Sequence, residues 1–425
     1  MRRLKLFGKK TFSSLSIRNY RLYFIGQAIS LSGTWMQTIA QGWLVLELTH
    51  SGTQLGLVVA CQFLPLLFLG PWGGLVADRV HKQTILYYAN AVSAGLSFGL
   101  SILVFSHAVQ LWELYVFAGA LGFVRVFDNP ARQTFVSEMV GGNHLKNAVS
   151  LNATANNLAR AVGPSISGLL IAGVGIAFCF FVNALSFIVS MYLQYLMRPE
   201  ELHQREPISR PTHALREGFA YVRQTPLIFN TLIMMTVVGT FVFEFQVSLP
   251  LVAQETFHGN AASYALLMST MGVGSVVGGL FAAGRSMISP KHLVVFLGLC
   301  GVSLCIAASM PTLILTALAM FVVGFFTINV TSLANTMLQL KSRPEMRGRV
   351  MALWGMAMMG STPIGGPLVG MAGEYGGGRC TLLVGGIAAL FAAFYGVYIL
   401  RGKDRETVIP KEVHTAVQQS TTWRR

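Results

Sequence analysis

Long apolar runs separated by short polar breaks make up most of this 425-residue chain. A helix needs about 20 apolar residues to cross a bilayer, and twelve runs approach or exceed that length. The runs cover residues 22–48, 54–77, 84–106, 111–131, 148–170, 174–197, 227–253, 263–284, 292–310, 312–335, 350–372 and 380–400. Strands of a membrane barrel would alternate, whereas these runs are continuously apolar. The pattern predicts an all-α integral membrane protein with twelve transmembrane helices.

One longer polar stretch divides the spans into two sets of six. It contains Pro199, Pro207 and Pro211 among many charged side chains. The predicted organisation is an N-terminal six-helix bundle over 1–197 with a basic cytoplasmic tail, a cytoplasmic central loop over 198–224, a C-terminal six-helix bundle over 225–401, and a cytoplasmic tail over 402–425.

The two halves share a glycine pattern. Span 5 holds Gly163-Pro164 and then Gly168, and span 11 holds Gly366-Pro367 and then Gly370. Small residues let membrane helices approach closely, and proline bends them. We therefore predict that both motifs pack helices together. Two pseudo-symmetric halves are typical of transporters built from structural repeats.

Composition supports lipid as the outer solvent. Charged residues make up 11% and hydrophobic residues 53% of the chain, whereas soluble domains carry about 25% charged residues. These values disfavour a soluble enzyme, a nucleic-acid binder and a secreted disulfide scaffold. The cysteines form no Cys-x-x-Cys and the histidines have no metal-ligand spacing, so neither a metal nor a cofactor is expected.

The net charge of +15 is distributed on one side of the predicted membrane. Of the 31 Lys and Arg residues, only Arg379 falls in a loop on the other side, while Arg125 and Arg160 fall within or near spans. Basic loops stay in the cytoplasm, so both termini are predicted to be cytoplasmic in a bacterial inner membrane. The basic rim then faces anionic headgroups, not nucleic acid.

Three motifs carry a resemblance to a known family. They occupy residues 74–82, 125–132 and 160–168, and read Gly-x3-Asp-Arg-Val-His-Lys, Arg-x2-Asp-Asn-Pro-Ala-Arg and Arg-x2-Gly-Pro-x3-Gly. Together they resemble the major facilitator superfamily, and within it the third proton-linked drug antiporter group, which includes enterobactin-exporter-like proteins. The first motif departs from the family pattern at His81 and Gln83, and the third has fewer glycines.

The resemblance implies a secondary transporter, not an enzyme, that exports amphipathic, drug-like organic compounds by alternating access, coupled to proton entry. A dedicated exporter of a siderophore, another single metabolite or a lipid-like solute is the alternative, and uptake remains open. A membrane enzyme or receptor would need a catalytic constellation or a soluble domain that the chain lacks. The expected partners are a small molecule, protons and the bilayer, and a monomer would suffice.

The resemblance also implies a gate. The loop between spans 2 and 3 carries its four residues, Gly74, Asp78, Arg79 and Lys82. The implied role of Asp78 is to cap a helix or pair with an arginine, so that the two halves are held together on the cytoplasmic side. An ordinary interfacial charge is the alternative interpretation.

Polar side chains within spans predict the substrate cavity. An unsatisfied polar group facing lipid costs several kcal/mol, so such residues must face protein or a water-filled space. The cavity candidates are Gln37, Gln41, Arg125, Asn152, Asn156, Arg160, Phe241 and Asn335. Hydrogen bonds between neighbouring helices are the alternative for the polar members.

Two acids are candidates for proton coupling. Glu244 lies near the middle of span 7 among phenylalanines, and an apolar environment favours the neutral form of a carboxyl group. Asp128 lies between Arg125 and Arg132 on one helix face, where a salt-bridged helix end is the alternative. A protonated or arginine-paired structural glutamate is the alternative for Glu244.

Overall fold

A computed structural model describes residues 13–203, 214–285 and 289–406 of the chain, and no strand occurs in these ranges. The helix Leu111–Val174 is divided at Gly141, whose φ of 64° is non-helical, into α4 (111–140) and α5 (142–174). The other membrane helices are α1 (Arg18–Thr49), α2 (Gly52–Arg79), α3 (Lys82–Phe105), α6 (Ile176–Tyr195), α7a (Pro226–Phe241), α7b (Phe245–Leu251), α8 (Ala261–Ala283), α9 (Pro290–Ser309), α10 (Leu313–Lys341), α11a (Arg347–Met359), α11b (Thr362–Gly376) and α12 (Gly378–Glu406).

These helices follow the predicted spans in order, so the all-helical two-bundle expectation is confirmed. Nine of the described segments are long and apolar enough to cross a membrane. The spans that fall short are α1, α4 and α11. Two of them, α1 and α4, carry several of the polar candidates, so their lower hydropathy reflects side chains that must face away from lipid.

The halves repeat the same packing. In the first half, a Cβ atom on Gly122 of α4 would collide with the carbonyl oxygen of Gln62 in α2. In the second half, a Cβ atom on Gly324 of α10 would collide with the carbonyl oxygen of Met271 in α8. Glycine is required at both crossings because the backbones touch there. The matching crossings support a structural repeat.

The predicted glycine motifs lie where helices cross. Gly163 packs against Trp35 of α1, and Gly168 of α5 packs against Ala265 of α8. In the second half, Gly366 and its neighbour Pro367 pack against Gly56 of α2. The α5–α8 and α2–α11b contacts join the two bundles, and they occupy equivalent places in the repeat.

The two bundles contact each other mainly towards one of the two ends of the molecule. We call the end where α1 begins and α12 ends the basic end. Gly52 and Gly56 of α2 contact Gly370 and Gly366 of α11b at the other end, which we call the far end. Among the described residues, every ion pair at the basic end stays within one half or joins that half to the linker. The bundles are thus held together at the far end.

Two features depart from the predicted elements. The central polar stretch contains a helix, Ala214–Gln224, whose Glu217 pairs with Arg349 of α11a at 2.5 Å. Spans 7 and 11 are each broken near their middle, at residues 242–244 and 360–361. After α7b the chain continues as a π-helical turn, Val252–Thr256.

Candidate functional site

Glu244 lies in the break of span 7. Its φ of −80° and ψ of 37° interrupt the helix, and it precedes the first residue of α7b. The side chain is only 2% exposed, and Oε1 has no hydrogen-bond partner among the described residues. The carboxyl group is therefore buried and incompletely satisfied, an arrangement that costs free energy in a purely structural residue.

The two breaks pack against each other around this carboxyl group. A Cβ atom on Gly365 would lie 3.0 Å from Glu244 Oε1, and one on Gly366 would lie 3.7 Å from Oε2. Both glycines belong to the first turns of α11b, where the N–H groups of Ile364 and Gly365 already donate to the carbonyl oxygen of Ser361. Among the described residues, the carboxyl group is thus enclosed by backbone, with no cation paired to it. A buried carboxyl group without a cationic partner is a candidate for proton exchange.

A polar face of α1 borders the space between the bundles. Trp35, Thr38 and Gly42 lie at i, i+3 and i+7, with Gln41 at the edge of the same face. The last three line a small cavity together with Gln246 of α7b. The cavity thus collects polar groups from both bundles.

Arg160 of α5 lies at one end of this face. Its guanidinium carbon is 5.0 Å from the centre of the Trp35 ring, within the range of a cation–π contact. Among the described residues, no carboxylate pairs with Arg160, and its Nε has no hydrogen-bond partner. Within the described ranges, the guanidinium group therefore meets an aromatic ring and no acid.

Arg125 of α4 lies behind the same cavity. With the Gln62 amide oriented so that its oxygen accepts, Arg125 Nη1 and Nη2 lie 3.2 and 3.3 Å from that oxygen. Gln62 itself lines the cavity. A neutral amide thus takes the place that an acid would have in an ion pair.

The remaining polar cavity candidates mostly bond to protein. Gln37 is buried and accepts hydrogen bonds from Ser97 at 2.8 Å and Asn183 at 2.5 Å, which joins α1, α3 and α6. Tyr20 donates to Asn152 at 3.2 Å. These contacts favour the helix–helix alternative for Gln37 and Asn152.

Three other candidates differ in exposure. Asn156 is exposed, whereas Phe241, the last residue of α7a, is half-buried. Asn335 is also half-buried and accepts from Gln339 one turn later in α10, at 2.6 Å. Of the three, Asn156 alone has an exposed side chain.

The residues of the predicted gate lie at the basic end. Arg79 is exposed, and nothing lies within 4 Å of a Cβ atom built on Gly74. The side chain of Asp78 lies outside the described part of the structure. Lys82 pairs with Glu138 of α4 at 2.6 Å, with side chains 15% and 9% exposed. Sequence reasoning missed Glu138, because an acid beyond a predicted span resembles an ordinary surface charge.

Asp128 belongs to a network inside the first bundle. Arg132 Nε donates to Asp128 at 2.5 Å, and its terminal nitrogens donate to Gln27 of α1 and Asn90 of α3. Asp128 Oδ1 has no partner in the described ranges. Asp128 was predicted to lie between the two cations Arg125 and Arg132. In the described structure it forms an ion pair with Arg132 and none with Arg125. This geometry favours the salt-bridged structural alternative.

A carboxylate joins the two bundles at the far end. Glu374, which lies beyond predicted span 11 in the last turn of α11b, accepts from Ser51 Oγ at 2.7 Å and from the Thr53 N–H at 2.9 Å. Ser51 is the N-cap of α2, so the carboxylate satisfies a free N–H at that helix start. Hydrogen bonds from Thr53 and Ser51 hold the pKa of Glu374 below its usual value.

Comparison with known proteins gives the family. A family model described as transmembrane secretion effector matches residues 9–420. The chain is 22% identical over 388 residues to the staphyloferrin A transporter of Staphylococcus aureus, which covers 90% of this chain and 96% of the relative. It is 26% identical over 361 residues to the enterobactin exporter of Shigella flexneri, covering 83% and 85%. It is 22% identical to macrolide efflux protein A of Streptococcus pyogenes, covering 82% and 88%.

Solved structures share the fold. A variant of the nucleoside transporter NupG superposes with a TM-score of 0.73 at 14% identity, covering 90% of this chain and 99% of the other. A bacterial homologue of the lysosomal transporter Spinster, in an inward-facing and occupied conformation, gives a TM-score of 0.70 at 13% identity, covering 90% and 96%. At this level of identity the similarity concerns the fold alone.

Proposed function

The chain belongs to the transmembrane secretion effector family of the major facilitator superfamily, and from that premise we propose that it exports amphipathic organic compounds by alternating access. The observation that carries the proposal is the pair of repeat-related contacts, α2 with α11b and α5 with α8, that join the bundles mainly towards one end. A carrier of this kind exposes its site to either side by rocking two rigid halves about that site.

The distribution of basic residues assigns the two ends to the two sides of the membrane. In the sequence, nearly all of the Lys and Arg residues fall in the tails and in the loops that connect helices at the basic end, so that end is assigned to the cytoplasm. The far end then faces outward, and the contacts there close the external side. In this assignment the conformation faces inward, the state in which an exporter takes up its cargo from the cytoplasm.

Proton coupling is assigned to Glu244. Its carboxyl group lies between two broken helices, and a Cβ atom on Gly366 of α11b would lie 3.7 Å from Glu244 Oε2 and 2.9 Å from the carbonyl oxygen of Gly56 in α2. Rocking that separates α2 from α11b would change the surroundings of the carboxyl group, so proton uptake and release would follow the conformation. Asp128 is the second candidate, although its pairing with Arg132 supports a structural role.

A dedicated exporter is the second candidate function. Two relatives have names that specify siderophores, staphyloferrin A and enterobactin, while another is named for macrolide efflux. These names support transport of an organic solute in either case. They give no support to a membrane enzyme or a receptor.

The test is a substrate panel in a bacterial strain that lacks its own efflux pumps. Cells that express the protein are expected to accumulate less of at least one amphipathic compound than vector-only cells, and a protonophore should abolish the difference. Equal accumulation across a panel of drugs and siderophores would contradict export. A difference that survives the protonophore would contradict proton coupling.

A further inference from the structure

We propose that the transported solute is an anion, bound by Arg160 and Arg125 between the bundles. The proposal rests on the proposed function and deepens it, because it names the charge of the cargo. Both arginines lie in membrane spans, where a cation without an acidic partner is costly. Neither forms an ion pair with an acid among the described residues.

The two guanidinium groups border one polar face. Arg160 lies over Trp35, and Arg125 bonds to Gln62, which lines the cavity with Thr38. Trp35 and Thr38 are three residues apart on α1, about 4.5 Å along its axis. A single solute that contacts this face can therefore reach the surroundings of both cations.

No described acid neutralises this face from a neighbouring helix. Asp128 lies one turn from Arg125 on the same helix but makes its ion pair with Arg132, and Glu244 is turned towards α11b, against Gly365. The groups from α1, α2 and α7b that line the cavity are neutral, and they include Gln41, Gln62 and Gln246. The space between the bundles thus carries a positive charge that an anionic solute would balance.

The chemistry of the site indicates which kind of anionic solute would bind. A guanidinium group recognises a carboxylate or phosphate with two parallel hydrogen bonds. The Trp35 ring beside Arg160 adds an apolar, planar surface. An aromatic or amphipathic carboxylate satisfies both features, whereas a cationic drug would be repelled by the arginines.

Direct binding to the full-length protein tests the proposal. The probes are fluorescein, an anion, and rhodamine 123, a cation with the same xanthene ring system. Anisotropy titrations use the protein in nanodiscs of neutral phosphatidylcholine, so that lipid charge does not contribute. Wild-type protein is expected to bind fluorescein saturably and at least about tenfold more tightly than rhodamine 123.

Variants identify the residues. Arg160→Gln and Arg125→Gln should each weaken fluorescein binding by roughly tenfold to a hundredfold, the effect of losing a charged hydrogen bond. Arg160→Lys keeps the positive charge but lacks the planar guanidinium group, so its affinity for fluorescein should lie between those of the wild type and Arg160→Gln. Arg379→Gln, which removes a far-end donor to Met310, is the control and should bind as wild type.

The outcomes separate this proposal from the proposed function. No fluorescein binding, preferential binding of rhodamine 123, or full fluorescein affinity in a folded Arg160→Gln variant would each overturn the anion assignment. Each of these results would leave export intact if the pump-deficient strain still extruded neutral or cationic compounds. Thermal unfolding of each variant shows whether it is folded.

Discussion

Replacing Gly56 with alanine is expected to drive the far end open. A Cβ atom on Gly56 would lie 2.6 Å from the carbonyl carbon of Gly366 and 2.8 Å from the Cα atom of Pro367. Both are backbone atoms, so no side-chain rotation can relieve the clash. The helices α2 and α11b must move apart, and the present conformation loses stability relative to one in which the far end is open.

The size of the shift follows from the cost of overpacking. Inserting a methyl group into a close-packed contact costs about 1–3 kcal/mol. Only the far-end-closed state contains this contact, so the closed-to-open ratio should fall by about 5-fold to 150-fold. Gly70→Ala is the matched control, because it lies in the same helix and its Cβ atom would meet only Leu66 Cδ1, at 3.9 Å.

Spin labels measure the shift. In a cysteine-free background, labels at Ser106 and Tyr375 report the far-end distance between the bundles, since both residues are exposed there. Gly56→Ala should move the electron–electron distance distribution to longer values, while Gly70→Ala keeps the wild-type distribution. An unchanged distribution in Gly56→Ala, or the same shift in both variants, refutes the reasoning.

Four further predictions concern the ends of the molecule. Glu374→Gln should open the far end by up to about fivefold, because an exposed charged contact contributes at most about 1 kcal/mol. Because hydrogen bonds lower the Glu374 pKa, the same spin-label distances should stay constant from about pH 8 to pH 5 and lengthen only as pH falls through that lowered pKa. Lys82→Ala should lower the unfolding temperature markedly, because it leaves the Glu138 carboxylate without its partner. In the double variant Lys82→Ala/Glu138→Ala, the unfolding temperature should fall by less than the sum of the decreases in the two single variants. Reporter fusions after Arg198 and at Arg425 should both indicate cytoplasm; a periplasmic signal would contradict the assignment of the ends.

The apolar runs predict the order of the helices but not the breaks within them. Twelve runs predict twelve crossings, and nine of the described helical segments are long and apolar enough to cross a membrane. The break before Glu244 has no such local signal: Phe241 to Phe245 contains neither glycine nor proline. The break lies next to the point where the backbone of α7a contacts Gly365 of α11b, a residue more than a hundred positions later in the chain.

The candidate site was predicted in part, for a related reason. Arg160 and Glu244 stood out because ionisable side chains are rare in apolar runs. The partners that define their surroundings are neutral, as with Gln62 beside Arg125, and such residues are common in spans. The Glu374–Ser51 contact joins residues 323 positions apart, which no local pattern indicates.

The central claim is that proton exchange at Glu244 drives export. It is tested most directly in proteoliposomes with an imposed pH gradient, using a compound identified by the efflux panel. Wild-type protein should accumulate the compound against its gradient. Glu244→Gln, which fixes the neutral form, should still exchange it but lose the accumulation, whereas Glu255→Gln in the same span should retain it. Undiminished proton-driven accumulation in Glu244→Gln would contradict the account.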